Sequence, residues 1–193
     1  MSELERVGRL VDGAAAKAVE LNKKIWSYAE LNFREDKSAA ALADALEAEG
    51  FAVERGVAGV RTAFVASFGG GKPVIALLGE YDALSSLSQK AACPRREPVA
   101  EGAPGHGCGH SLLGAGAFAA AVAVKRYIEE TGLAMTVRFY GCPAEEDGGG
   151  KVYMAREGMF DDVDAALTWH PDAVNATKGV GSLAVMGVRP LNE

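Results

Sequence analysis

Cysteine is scarce: the three cysteines in 193 residues, at 93, 108 and 142, are odd in number and share no repeating spacing. That excludes a disulfide framework and a four-cysteine zinc ribbon, and it points to reduced thiols. Basic runs are missing too, since Lys and Arg occur at most in short pairs and the formal net charge is −6. Such a surface suits neither a nucleic acid nor an anionic membrane, so neither is expected as a partner. No stretch reaches about 18 uninterrupted apolar residues. The opening MSELERVGRL carries acids where a secretory leader is basic and then apolar, and a cytoplasmic location is expected. Histidine is as rare as cysteine, with three residues in all. What is plentiful is apolar matter, 49% of the chain, enough for one sizeable core in a single compact domain.

Two of the three histidines and one cysteine fall in the stretch Gly105-His106-Gly107-Cys108-Gly109-His110. Cys108 and His110, one residue apart on extended backbone, can both turn toward one cation, and the donor set suits zinc and its neighbours. The interleaved glycines let the backbone approach a bound ion. A flexible glycine-rich loop with solvated histidines is the plain alternative, because a lone Cys-x-His is a weak motif.

Earlier in the chain, residues 3–32 carry Leu4, Val7, Val11, Ala14, Ala18, Leu21, Ile25 and Tyr28 on one helical stripe. An amphipathic helix lying on a sheet fits this better than a coiled coil, whose seam Ala and Gly would serve poorly. A second helix is expected over 38–49, capped by Ser38 and stopped by Gly50. Strands follow at 51–57, 62–68 and 74–78, with Gly69-Gly70-Gly71-Lys72-Pro73 read as a hairpin turn between the last two. The GGGK sequence is no phosphate loop: Ala66 stands where its first glycine belongs, and Pro73 replaces the hydroxyl residue.

The strand at 74–78 runs into Glu80 and Asp82. Residues 85–105, with three prolines, form a long loop that leads to the Gly/His/Cys stretch, and a helix over 112–131 ends at Gly132. That helix would set Cys108 and His110 just before its N-terminus, where partial positive charge favours a thiolate. Strand 135–142 leads into Glu145-Glu146-Asp147, and strand 165–169 into His170. Three apolar strands thus finish in acids or histidine, at the end of an α/β sheet where ligands bind. All three histidines join this set, which favours a metal site. For Asp82 the plain alternative is a strand-end turn residue.

In Leu78-Gly-Glu-Tyr-Asp-Ala-Leu84, Gly105-His-Gly-Cys-Gly-His-Ser-Leu-Leu-Gly114, Tyr140-Gly-Cys-Pro-Ala-Glu-Glu146 and Gly148-Gly-Gly-Lys151, the chain resembles the dinuclear-metal aminoacylase and carboxypeptidase superfamily of peptidases. The likeness is to its amidohydrolase branch, runs from about residue 20 to about residue 185, and is closest in wording to the aminobenzoyl-glutamate utilisation proteins. It implies an α/β sheet with helices on both faces, a partial zinc-peptidase-like catalytic domain. It also implies two divalent ions, zinc or manganese, held by Cys108, His110, Glu146 and His170. Glu145 would be the catalytic base, its side chain turned away from that of Glu146 on extended backbone. Asp82, and less surely Glu80, would orient a ligand. The implied substrate is a small amide, an N-acyl or N-aroyl amino acid such as aminobenzoyl-glutamate.

Family members are more than twice this length and dimerise through a satellite domain. Residues 1–185 are therefore expected to be the N-terminal portion of the catalytic domain, with 186–193 a divergent tail. The satellite domain, the remaining catalytic part and one further histidine ligand lie outside such a truncated form, which would turn over slowly by itself. Ser111 stands where close relatives usually have Asn. Two other readings remain: a catalytically inactive half-domain that binds metal or a partner, and a serine hydrolase built on Gly109-His110-Ser111, against which Leu113 replaces the second glycine of the elbow.

Overall fold

The computed structural model describes residues 2–172 and the two-residue strand at 185–186. The expected tail from 186 onward lies, apart from Met186, outside the described residues.

Helix α1 (Glu3–Tyr28) begins with a capping box: the Glu5 amide donates to the Ser2 hydroxyl and the Ser2 amide to the Glu5 carboxylate. Ala29, left-handed at φ 43°, ends the helix four residues sooner than expected. Its buried residues are Leu10, Ala14, Leu21 and Ile25. The inferred stripe is therefore wrong in its first three turns, where Leu4, Val7 and Val11 face outward at 82%, 43% and 39% exposure. Helix α2 (Asp36–Ala48) has Glu35 at its N-cap and no side-chain cap bond from it. Ser38 does not cap it either. Ser38 lies inside the first turn, where Glu30 accepts the Lys37 and Ser38 amides and the Ser38 hydroxyl. The carboxylate of an upstream residue thus satisfies the orphan donors of the turn.

Strands β1 (Ala52–Arg55), β2 (Phe64–Gly69), β3 (Val74–Glu80), β4 (Thr136–Cys142), β5 (Ala165–Leu167) and β6 (Val185–Met186) form one sheet in the order β1-β2-β4-β3-β5-β6. The expected hairpin at 69–73 is absent. β4 inserts between β2 and β3, antiparallel to the first and parallel to the second, so the turn only carries the chain across one strand position. Apolar residues on both faces of β3 and β4 signal this burial, since a hairpin pair at an edge needs only one apolar face.

Helix α3 (His110–Thr131) covers the middle of the sheet and stops at Gly132, φ 68°. By length and composition α3 could cross a membrane, but two-thirds of its apolar window (67%) is buried inside this fold. Phe118, Ala121 and Val122 of α3 pack with Leu21 and Ile25 of α1, Leu42 and Leu46 of α2, and Phe64, Leu77 and Phe139 of the sheet. These three long helices lie on one face. The other face carries, among the described residues, only the seven-residue helix α4 (Gly150–Arg156) and a 3-10 turn at Val57–Gly59, closing over Val65, Ala76, Leu78 and Tyr140. Helices on both faces are thus present, though unequally.

Candidate metal centre

Parallel strands β4, β3 and β5 stand side by side and end at the same edge. The chain leaves β3 through Glu80, Tyr81 and Asp82, leaves β4 toward Glu145 and Glu146, and leaves β5 toward His170. The long loop returns because its two ends pair: Leu84 and Gly105 exchange amide-to-carbonyl bonds, each 3.0 Å. That sets the Gly/His/Cys stretch beside the β3 end. Gly109, at φ 85°, makes the final turn into α3, and a Cβ there would meet Pro171 at 2.7 Å. Glycine is therefore needed for conformation and for close approach to the segment bearing His170.

His110 lies at the start of α3, buried at 1% exposure. Its Nδ1 is 2.7 Å from Asp82 Oδ1, an atom that only accepts, so Nδ1 carries a proton, and in the neutral ring Nε2 is the nitrogen that presents a lone pair. Around that Nε2 stand Glu80 Oε2 at 3.1 Å, Glu145 Oε2 at 3.7 Å and Glu146 Oε1 at 3.9 Å. Glu80 is close yet out of line for a hydrogen bond, and Nε2 is buried without a hydrogen-bond partner among the described residues. Glu146 Oε1 is buried and unpartnered in the same sense. His170 Nδ1 meets the Pro171 carbonyl at 2.8 Å, which frees its Nε2, 3.2 Å from Cys108 Sγ.

Cys108, His110 and His170 can present ligand atoms within 4.8 Å of one another, and so can Glu80, His110 and Glu145. Two lone-pair nitrogens, a thiol and several carboxylates, with two buried atoms lacking a partner, are what a divalent cation requires. The residues fit such an ion.

The electrostatics are those of crowded acids around an imidazole and a thiol. Burial alone would lower the His110 imidazole, but the bond to Asp82 and the charges of Asp82, Glu80 and Glu146 raise it on balance. Burial works to raise the Asp82 carboxyl, and the His110 bond with the Glu146 amide outweighs it, leaving Asp82 low. Burial and the neighbouring Glu80 push Glu145 up. The expectation of a thiolate at Cys108 fails without a cation: burial and the Glu146, Glu145 and Glu80 carboxylates push it to about 12, against the weak helix terminus. Lys151, 2.5 Å from Glu80 Oε1, is the ammonium paired within this group of acids among the described residues.

Three expectations need correction. His106 is not part of the cluster: its Nε2 donates to the Ile25 carbonyl at 3.0 Å, tying the loop to the end of α1. Glu145 and Glu146 lie in a turn, not on extended backbone. Ser111 is 3% exposed in the first turn of α3, so it presents no exposed nucleophile. Sequence reasoning gave no role to Glu35, which lies in no motif, or to Lys151, whose type alone does not tell a paired ammonium from a solvated one.

Fold and site together define an α/β domain with candidate metal donors gathered at the carboxyl ends of parallel strands. Residues 76–185 match Peptidase family M20/M25/M40, and the chain belongs to that family. It is 55% identical over 174 residues to a subunit of p-aminobenzoyl-glutamate hydrolase from Escherichia coli (strain K12), a match covering 88% of this chain and 36% of that protein. It is 32% identical over 183 residues to Xaa-Arg dipeptidase of Mus musculus, covering 89% and 38% respectively. The fold also matches the crystal structure of YXEP from Bacillus subtilis, a dinuclear metal binding peptidase, with TM-score 0.68 and 24% identity over 89% of this chain and 44% of that one. The chain thus spans less than half the length of these relatives.

Proposed function

We propose that this chain carries the metal-binding part of a hydrolase acting on the amide bond of an N-acyl or N-aroyl amino acid, with aminobenzoyl-glutamate the leading substrate. The observation that carries it is the facing pair of buried, unpartnered atoms, His110 Nε2 and Glu146 Oε1, 3.9 Å apart beside Cys108 and His170. The substrate class rests on the 55% identity to the p-aminobenzoyl-glutamate hydrolase relative. That relative is one subunit of its enzyme, and a second protein chain is part of the same proposal.

Cys108, His110, Glu146 and His170 would hold a pair of divalent ions, zinc or manganese. When bound, such ions polarise a carbonyl and acidify water. Glu145 and Glu146 are nearly equidistant from His110 Nε2, and exposure separates their roles: the Glu146 side chain is 21% exposed and that of Glu145 is 40%. The more buried carboxylate, with its orphaned oxygen, suits an ion. The more open one suits proton transfer, taking a proton from water at its carboxylate and returning it to the leaving amine. Its upward shift brings it nearer the operating range of a general base. Asp82 holds the His110 ring in one tautomer.

The test is elemental analysis after dialysis together with hydrolysis of a chromogenic N-aroyl glutamate. Cys108→Ala and His170→Ala should lose bound metal relative to the parent. In a full-length relative, or with the missing half supplied, the counterpart of Glu145→Gln should keep metal and lose turnover by about 10²–10⁴-fold. Metal retention equal to the parent in the first two variants would refute the site. Full metal without turnover in the parent would favour an inactive metal-binding half-domain, the second reading, which the partial span of the relatives keeps in play.

A further inference from the structure

Glu35 is a buried carboxylate, at 0% exposure. A carboxylate so placed must have both oxygens satisfied or it costs several kcal/mol. Its Oε1 accepts the Ala144 amide at 2.8 Å, and its Oε2 accepts the Thr62 hydroxyl at 3.1 Å. The Thr62 carbonyl in turn accepts the hydroxyl of Tyr81 at 2.6 Å, and Tyr81 lies between Glu80 and Asp82. One buried acid therefore connects the exit of β3 to the exit of β4.

The β4 exit needs such a hold. Ala144 sits at φ 54°, a conformation that residues with a Cβ disfavour, and it directly precedes Glu145. Two residues further on, the Glu146 amide donates to Asp82 Oδ2 at 3.0 Å. The turn is thus gripped at both ends by buried carboxylates, Glu35 on Ala144 and Asp82 on Glu146, with Glu145 between the grips. Glu35 belongs to the α2 N-cap and touches no candidate metal-binding atom in these contacts.

We infer that Glu35 is a positioning residue: through the Ala144 amide it fixes the turn that aims Glu146 at the ion and Glu145 at the reacting water. The inference rests on the metal reading above for its consequence, but the grip itself can be measured without metal.

Hydrogen exchange and cobalt(II) titration test it together. Glu35→Ala removes both acceptors. Glu35→Gln keeps an oxygen for the Ala144 amide and can donate to the Thr62 hydroxyl. In Glu35→Ala, amides from 144 to 148 should exchange at least about tenfold faster, while those of β3 and α3 keep parent protection. Cobalt affinity should fall by about tenfold, and Glu35→Gln should restore both quantities. A merely structural role would lower the unfolding midpoint and leave the affinity of the folded protein alone. Placed on Glu146→Ala, Glu35→Ala should add no further loss of affinity, whereas on Cys108→Ala it should add its full effect. Parent-like exchange in the turn, or a full additional loss on Glu146→Ala, would overturn the inference. Should the parent take up no cobalt, the metal reading fails and the exchange measurement alone decides the grip. If Glu35→Ala does not fold, Glu35→Asp, one methylene too short for the Ala144 amide, takes its place with the same expected outcomes.

Discussion

His110 commits one ring nitrogen to Asp82 and presents the other, buried, to three carboxylates. Removing the orienting partner should therefore reach the metal: Asp82→Ala is expected to weaken divalent-ion affinity by about 10–100-fold, measured by competition with a chromogenic chelator. Glu35 gives a pH prediction. Burial pushes its carboxyl above the ordinary value of 4.5. A raised acid contributes stability that is complete below its unfolded value and lost as pH rises through its folded value. Glu35→Gln escapes that loss, so its urea midpoint relative to the parent should improve as pH rises above the ordinary carboxyl value of 4.5; a constant difference would contradict the shift. That ligand-type residues gather where the strands end was legible in the sequence, and the structure does bring Cys108, His110, Glu146 and His170 close together; the choice of these four as ligands came from the family resemblance alone. His106 was misassigned because spacing says nothing of direction, and its ring turns to a helix carbonyl. Glu35 was invisible because a buried acid and a solvated one read alike until the chain folds.

Among the elements, α3 carries a glycine whose role sequence could not disclose. A Cβ at Gly114 would lie 2.5 Å from the Glu80 carbonyl oxygen, whereas one at Gly8 in α1 would meet nothing within 4 Å. Alanine improves helix propensity by about 1 kcal/mol at either position. At Gly8 that gain stands alone, and Gly8→Ala should raise stability by about 0.5–1 kcal/mol in urea denaturation. At Gly114 the contact is with backbone, which cannot rotate away, and overpacking of about 1–3 kcal/mol wins. Gly114→Ala should be destabilising and should also disturb Glu80 beside His110. Helix and strand positions were largely legible from periodicity and the stops at Gly50 and Gly132. Strand order was not. The turn at 69–73 has hairpin chemistry, and only the doubly apolar β3 and β4 hint that β4 slips in between.

For the molecule as a whole, Glu80, Asp82, Glu145 and Glu146 crowd around one imidazole with Lys151 as their paired ammonium. Folding this region without a cation concentrates negative charge, so bound metal should act as a folding ligand. At an ion concentration about 100 times the dissociation constant, linkage predicts about 2.7 kcal/mol of added stability. For a domain of this size that amounts to a rise of roughly 5–10 °C in melting temperature, reversed by chelator. An unchanged melting curve would mean the site is not occupied in the folded protein.

The interleaved strand order also has a consequence in time. β3 pairs Val74 with Thr136 on one side and Ile75 with Ala165 on the other, across intervals of about 60 and 90 residues. As the chain is synthesised, the central strand exists for dozens of residues before either neighbour has been made. α1, α2 and the β1–β2 pair can assemble early from near contacts, but β3 must wait, and late closure of distant contacts is slow. The proposed donors are dealt out in the same sequence, Cys108 first and His170 last. A newborn chain therefore cannot assemble these donors until the segment bearing His170 has been made, long after β3.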